Sequence, residues 1–243
     1  MNEPVLRVDG VVKRYGGLTA VDGLTFHVGA GEVLGIIGPN GAGKSTTFDL
    51  ISGFRRSDQG SVHMGKVRID GLPAHRIARM GLARSFQRVQ DSRELTVEDV
   101  LVTAALIAGD MRAARRASAA MLERLGLGAI RGQQLSALSL PDRKMVEFGR
   151  CLVGRPRIVL LDEIMAGLTL TEAARPMAIV RECCAEGIAF VVVEHLMQII
   201  VALCDRVVAM DFGQQVATGS PAAVLADPHV RATYLGVEEI ADA

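Results

Sequence analysis

Residues 38–46 read GPNGAGKST, preceded by the apolar run VLGII and leading into FDLISGF. A glycine-rich loop therefore lies between a buried strand and a helix, which is the setting of a phosphate cradle. Gly38, Gly41 and Gly43 let the backbone curl its N–H groups around a polyphosphate, and Lys44 is spaced to neutralise its β and γ phosphates. Ser45 offers a hydroxyl to Mg²⁺. Pro39, Asn40, Ala42 and Thr46 complete the loop. A plain glycine-rich turn explains neither the Lys-Ser-Thr run nor the strand before it, so the expected ligand is a nucleoside triphosphate.

The rest of the chain can build a core around that loop. It has 243 residues, 49% of them hydrophobic, enough for one domain or two closely joined lobes. Lys plus Arg and Asp plus Glu both number 27, so no net field draws the surface onto nucleic acid or an acidic membrane. Cys151, Cys183, Cys184 and Cys204 show no C-x-x-C spacing and read as reduced core thiols. The N-terminus MNEPVLRVDG lacks a basic segment followed by an apolar one, so a cytoplasmic protein is expected. The longest apolar region, IAFVVVEHLMQIIVALC, is interrupted by Glu194, His195 and Gln198 and is too short to span a bilayer.

The patterning gives a mainly parallel α/β sheet. VLRVDGVVKRY and LTFHV predict an antiparallel flap before the cradle, followed by a helix over 44–53 and a second alternating stretch, SVHMGKVRIDG. LPAHRIARMG predicts a short helix ending at Gly81. Val97 to Leu125 carry apolar residues at three- and four-residue steps, as a helical lobe requires. RIVLLDE (157–163) and AFVVVEH (189–195) are continuous apolar runs, as strands buried on both faces should be, and helical patterns at 142–154 and 171–186 separate them. Ligands of such sheets sit beyond the carboxyl ends of the strands. A hairpin, VVAMDFGQQVATG, and two short helices opened by Ser220-Pro221 and Asp227-Pro228 close the chain.

Acids and an imidazole fall at those strand ends. Asp162 is placed to hold Mg²⁺ through water, and Glu163 to orient or deprotonate the water that attacks the γ-phosphate. His195 ends the next strand, where its ring can reach the γ-phosphate from the side opposite Lys44. Tyr15, ahead of Gly16 and Gly17, fits either an adenine-stacking ring or a half-buried strand aromatic, with Val21 lining the ribose side. No N-K-x-D or T-K-x-D guanine-reading motif occurs, so the base is expected to be adenine.

Taken in order, Tyr15 with GGLTAV, the cradle, RSFQ ending at Gln87, LSLPDRKMVEFGRCL, VLLDE and VVVEH resemble an ABC transporter ATP-binding subunit over nearly the whole chain. KRYGGLTAVDGLTF, IARMGLARSFQ, DRVVAMDFGQQVATGSP and DPHVRATYLG look most like branched-chain amino acid importers. The resemblance implies a P-loop NTPase (RecA-like) fold: a core from residues 1–86 and 156–243 with an antiparallel β flap, and a small helical subdomain at 87–155. It implies that Gln87 reaches the Mg²⁺ and the water, and that RVQDSRELTVEDV touches a membrane permease subunit. It further implies a head-to-tail pair of ATP-binding subunits at the cytoplasmic face of the membrane, a solute-binding protein acting indirectly, and no nucleic acid partner. ABC ATPases that move lipid or lipopolysaccharide share most of this layout, and a regulatory nucleotide switch is a further alternative.

The resemblance fails at one segment. The family signature L-S-G-G-Q is replaced by LSLPD at 138–142. Ser139 survives, but Pro141 has no N–H and Asp142 adds negative charge where a partner's γ-phosphate would sit. Two readings stay open: a signature that still grips phosphate, or a helix start with Ser139 as cap. The composite site closed by this segment is expected to be weak. Ile164 in place of proline, and Thr169 where the superfamily carries Asp, put communication between the two sites in doubt.

Overall fold

The structure, a computed structural model, describes residues 3–86 and 94–234. The elements run β1 (Leu6–Tyr15), β2 (Leu18–Val28), β3 (Val33–Ile37), α1 (Lys44–Ile51), β4 (Gln59–Met64), β5 (Val67–Arg68), α2 (Ala74–Arg79) and β6 (Leu82–Arg84). They continue with α3 (Val97–Ala105), α4 (Met111–Arg124), α5 (Leu140–Leu152), β7 (Ile158–Asp162), α6 (Leu170–Ala185), β8 (Ala189–Val193) and α7 (Met197–Leu203). The last are β9 (Arg206–Asp211), β10 (Gln214–Gly219), α8 (Pro221–Ala226) and α9 (Pro228–Tyr234).

A six-stranded sheet of order β10-β9-β3-β8-β7-β6 forms the centre. All its pairings are parallel except β10 with β9. Alternation along each strand splits the core in two. Val33, Ile37, Val159, Leu161, Phe190 and Val192 face a cluster shared with α3 to α7. Leu34, Ile36, Ile158, Leu160, Val191 and Val193 face the other, shared with α1, α2 and the antiparallel sheet β2-β1-β4-β5. Both faces are covered, which is why VLGII, IVLL and AFVVV carry no polar residue.

The register aligns the strand ends. Gly35 pairs with Val192, and Asp162 with Val193, so the loops after β3, β7 and β8 emerge at one edge. The predicted helical stretch from Val97 to Leu125 is two helices, divided at Gly109-Asp110. Asp110 accepts a hydrogen bond from the Ala113 N–H at 2.8 Å and caps α4. The flap's second strand is longer than LTFHV because Tyr15 pairs with Leu18 across Gly16-Gly17, carrying the ladder back to the turn. β6 and α7 have no counterpart in the sequence reading. Thr169, in place of the superfamily Asp, caps α6 reciprocally with Glu172.

Candidate active site

The cradle joins the end of β3 to the start of α1 and is pressed against two neighbours. Gly43 sits at φ 100°, and a Cβ there would overlap the Ala20 carbonyl of β2. A Cβ on Gly38 would overlap the Met210 carbonyl of β9. Glycine is therefore required for fit as well as for curvature. At the N-terminus of α1, no side chain caps the first turn and no acid lies in it, so the helix dipole and its N–H groups remain for an anion.

Lys44 is buried and folds back along the loop, its Nζ donating to the carbonyls of Gly38 at 2.5 Å and Pro39 at 2.9 Å. Burial lowers its pKa, while the nearby Glu163 and Asp162 charges oppose that shift. The two acids and the lysine thus belong to one electrostatic cluster. Ser45 is exposed beside it.

Asp162 is the last residue of β7 and is buried. Its N–H donates to Ser85 Oγ at 2.8 Å, and Arg84 Nη2 stands 3.7 Å from its carboxylate. Burial raises its pKa, Arg84 pulls it back, and the Glu163 charge raises it again. Such a carboxylate gains from a further cation. Among the described residues no three His, Cys, Asp or Glu side chains cluster as a metal site. An exposed hydroxyl and one buried carboxylate beside a phosphate loop instead suit Mg²⁺, which takes few protein ligands and completes its shell with phosphate and water. Gln87 lies outside the described residues.

Glu163 adopts the left-handed conformation with φ 51°. That is costly for a residue with a Cβ and persists only where neighbours enforce it. Three contacts do so. Its N–H donates to the Val193 carbonyl at 2.9 Å, its own carbonyl accepts from Lys144 Nζ at 3.0 Å, and its Oε1 lies 2.8 Å from His195 Nε2. Asp162 and Glu163 at the end of β7, His195 after β8 and Lys44 at the start of α1 are thereby gathered at one edge of the sheet.

Other assignments fare differently. Tyr15 is exposed at the tip of the flap, with Lys13 Nζ 5.5 Å from its ring centroid, and presents a face on which a base can stack. Val21 has 0% exposure and packs in the core, so its side chain offers no surface to a ribose. The cause is an irregularity at Asp22-Gly23, which shifts the β2 register and turns both Val21 and Leu24 inward. Ser139 caps α5, and among the described residues no hydrogen bond or ion pair joins it to the cradle. Cys151, Cys183 and Cys204 are buried and unpaired, and burial pushes the Cys204 thiol up to about 12.

Four residues that brace the candidate site were given no role in the sequence reading: Arg84, Ser85, Lys144 and Glu194. Glu194 is 2% exposed and accepts from the Met165 N–H at 2.8 Å, tying the loop after Glu163 to the end of β8.

Residues 21–166 match the family model described as ABC transporter. The chain belongs to the ABC transporter family. Residues 214–240 of this ABC protein also match a model described as branched-chain amino acid ATP-binding cassette transporter. It is 34% identical to the high-affinity branched-chain amino acid transport ATP-binding protein LivG of Salmonella typhimurium, covering 97% of this chain and 99% of LivG. It is 32% identical to the lipopolysaccharide export system ATP-binding protein LptB of Acidithiobacillus ferridurans, covering 96% and 97%. Among solved structures, the ADP conformation of MJ1267, an ATP-binding cassette of an ABC transporter, superposes with a TM-score of 0.89 at 31% identity, covering 97% of this chain and 100% of that one. No helix among the described residues of this ABC protein is long and apolar enough to cross a membrane.

Proposed function

We propose that this chain is the ATP-hydrolysing subunit of an importer for branched-chain amino acids or a related small solute. Overall identity barely separates LivG from LptB, at 34% and 32%. The match of residues 214–240 to the branched-chain amino acid model tips the reading toward import.

One observation carries the ATPase chemistry: Lys44, Asp162, Glu163 and His195 converge where the strand ends meet the cradle. ATP lies with its phosphates along residues 38–46, the α1 N-terminus and Lys44 taking up negative charge, and its adenine on Tyr15. Ser45, Asp162 and Gln87 are the candidates to hold Mg²⁺, which when bound neutralises charge on the phosphate oxygens. Glu163 orients the attacking water and accepts its proton as the water oxygen bonds to the γ-phosphorus and the bond to the β–γ bridging oxygen breaks. His195, hydrogen-bonded to Oε1, fixes that carboxylate, and the enforced backbone at Glu163 fixes its origin.

The chain works at the cytoplasmic face, carried there by separate permease subunits that receive solute from a binding protein. A second ATP-binding subunit docks head to tail and closes its signature over this cradle. The test is turnover in the reconstituted transporter. Glu163→Gln is expected to bind MgATP and hold it uncleaved, while Lys44→Ala weakens binding. Near-normal hydrolysis by Glu163→Gln would falsify the assignment.

A further inference from the structure

The balanced charge of the whole chain conceals one strongly basic face. From Met111 to Leu122 the sequence MRAARRASAAML holds three arginines and no acid. α4 buries Ala114, Ser118 and Leu122, which turns Arg112, Arg115 and Arg116 together to the exposed side. At spacings of three and four residues these guanidiniums are neighbours that repel one another. They also stand in the first two turns of the helix, where the dipole is positive and favours acids. Among the described residues none of the three has an ion pair or a side-chain hydrogen bond, and Asp110, the acid just ahead of them, is committed to capping the Ala113 N–H.

A fourth unpaired arginine completes the face. The turn after α5 holds Arg155 at φ 52°, a left-handed backbone that an arginine adopts only at a cost. Arg155 and Arg116 line the same 380 Å³ cleft, whose other walls are alanine, glycine and valine residues with no acid among them. Such a cleft suits a phosphate held between two guanidiniums. Its rim is apolar. Ile107 lies against Gly154, where a Cβ would come within 3.2 Å of the isoleucine Cγ2, and Leu106, Ile107 and Met111 are all exposed. Ile107 also shares a cleft with Phe86, which stands just ahead of the segment expected to touch a permease subunit.

We propose that this face rests directly on anionic phospholipids of the bilayer beside the permease. A headgroup phosphate sits between Arg116 and Arg155, Arg112 and Arg115 meet neighbouring headgroups, and Leu106, Ile107 and Met111 reach the acyl boundary. The proposal rests on the importer reading for the nearness of a membrane, and goes beyond it in giving this chain a lipid contact of its own. A soluble anion would satisfy the arginines and leave the three apolar side chains in water, whereas a bilayer surface covers both.

The test is flotation of the purified full chain with vesicles of phosphatidylcholine alone or mixed with phosphatidylglycerol. The chain is expected to bind the mixed vesicles at least about tenfold tighter than the neutral ones, and to weaken as salt rises past about 0.15 M. Arg116→Gln with Arg155→Gly is expected to lower that affinity at least about tenfold, and Leu106→Ser with Met111→Ser about fivefold. Arg76→Gln with Arg175→Gln removes the same charge from exposed positions on α2 and α6 and should leave the affinity within about twofold. Equal losses from both arginine pairs would show that net charge alone attracts the chain, and equal binding to both kinds of vesicle would show that no anionic surface is read; either overturns the proposal. Full release by soluble glycerophosphate overturns it as well, since the cleft would then serve a free anion. Titration of the same variants with MgATP keeps the two readings apart. A chain that floats but binds no ATP sinks the ATPase reading alone, and one that binds ATP but does not float sinks the lipid contact alone.

Discussion

Lys144 Nζ, on α5, donates to the main-chain carbonyl of Glu163 at 3.0 Å, so the helix that carries the signature segment also holds the candidate general base. The lysine is half-buried, and its charge also attracts the buried Glu194. Its bond helps to enforce the left-handed backbone at Glu163. Any displacement of α5 is thereby passed to the backbone of Glu163, the candidate general base.

Lys144→Met keeps the length and packing of the side chain but removes the donor. A lost charge-assisted bond of this kind is worth about 1.5 to 3 kcal/mol. With part of that loss felt in the transition state, kcat is expected to fall about tenfold, with KM for ATP within about twofold of the parent. Steady-state ATPase assays in the assembled transporter separate the two constants. Equal losses in kcat and ATP affinity would point to a general collapse of the site rather than to misplacement of Glu163.

Glu194 gives the fold a pH dependence whose sign follows from its burial. Desolvation pushes its carboxyl up to about 7 from an ordinary 4.5, against the pull of the Met165 N–H and of Lys144, with Glu163 adding repulsion and His195 attraction. The folded chain thus keeps a proton that the unfolded chain releases. The associated stability is full below pH 4.5 and is lost as pH rises through about 7. A displacement of this size corresponds to about 3 kcal/mol. Glu194→Gln retains an acceptor for Met165 and never ionises, so it should melt higher than the parent at pH 8 and about level with it at pH 5. Calorimetry at both pH values checks this, and a gap that is the same at each would rule out ionisation of Glu194 as its source.

What the sequence disclosed and what it hid divide along physical lines. VLGII, IVLLD and AFVVV were legible as strands because burial on both faces writes an unbroken apolar run. The cradle was legible because its glycines, lysine and hydroxyl are contiguous. Ser85 was not, since its worth lies in a bond to the Asp162 N–H, 77 residues away. Glu194 stood in plain view inside VVVEH, yet only the path of the loop after Glu163 shows that it braces Met165. That the Val21 side chain is buried was hidden, because it follows from a register shift in the β1–β2 pairing that residue types do not announce. The LSLPD segment was readable as a helix cap from residue types alone. That its hydroxyl is consumed by Asp142 required the geometry.

Arg84 is a largely buried cation near the site and serves two acids at once. Its Nη1 lies 2.6 Å from Asp49 and 3.0 Å from Ser52 Oγ, its Nη2 is 3.7 Å from Asp162, and its guanidinium lies over the rings of Phe48, Phe54 and Phe86. Arg84→Met fills the aromatic nest but leaves Asp162 buried without its main compensating charge. Breaking a buried pair costs about 3 to 5 kcal/mol, and the partial exposure of Asp49 and the long approach to Asp162 bring the expectation down to about 2 to 3. The loss should shrink at acid pH. Burial already raises the Asp162 pKa, and removing Arg84 raises it further, so protonation relieves the unpaired charge as pH falls. Arg84→Lys is expected to recover little, because a single ammonium cannot reach Asp49, Ser52 and Asp162 together while staying close to all three rings. Urea denaturation of both variants at pH 8 and pH 5 reads these effects. Full stability of Arg84→Lys would mean that the planar fork is dispensable and that net charge alone holds Asp162 in place.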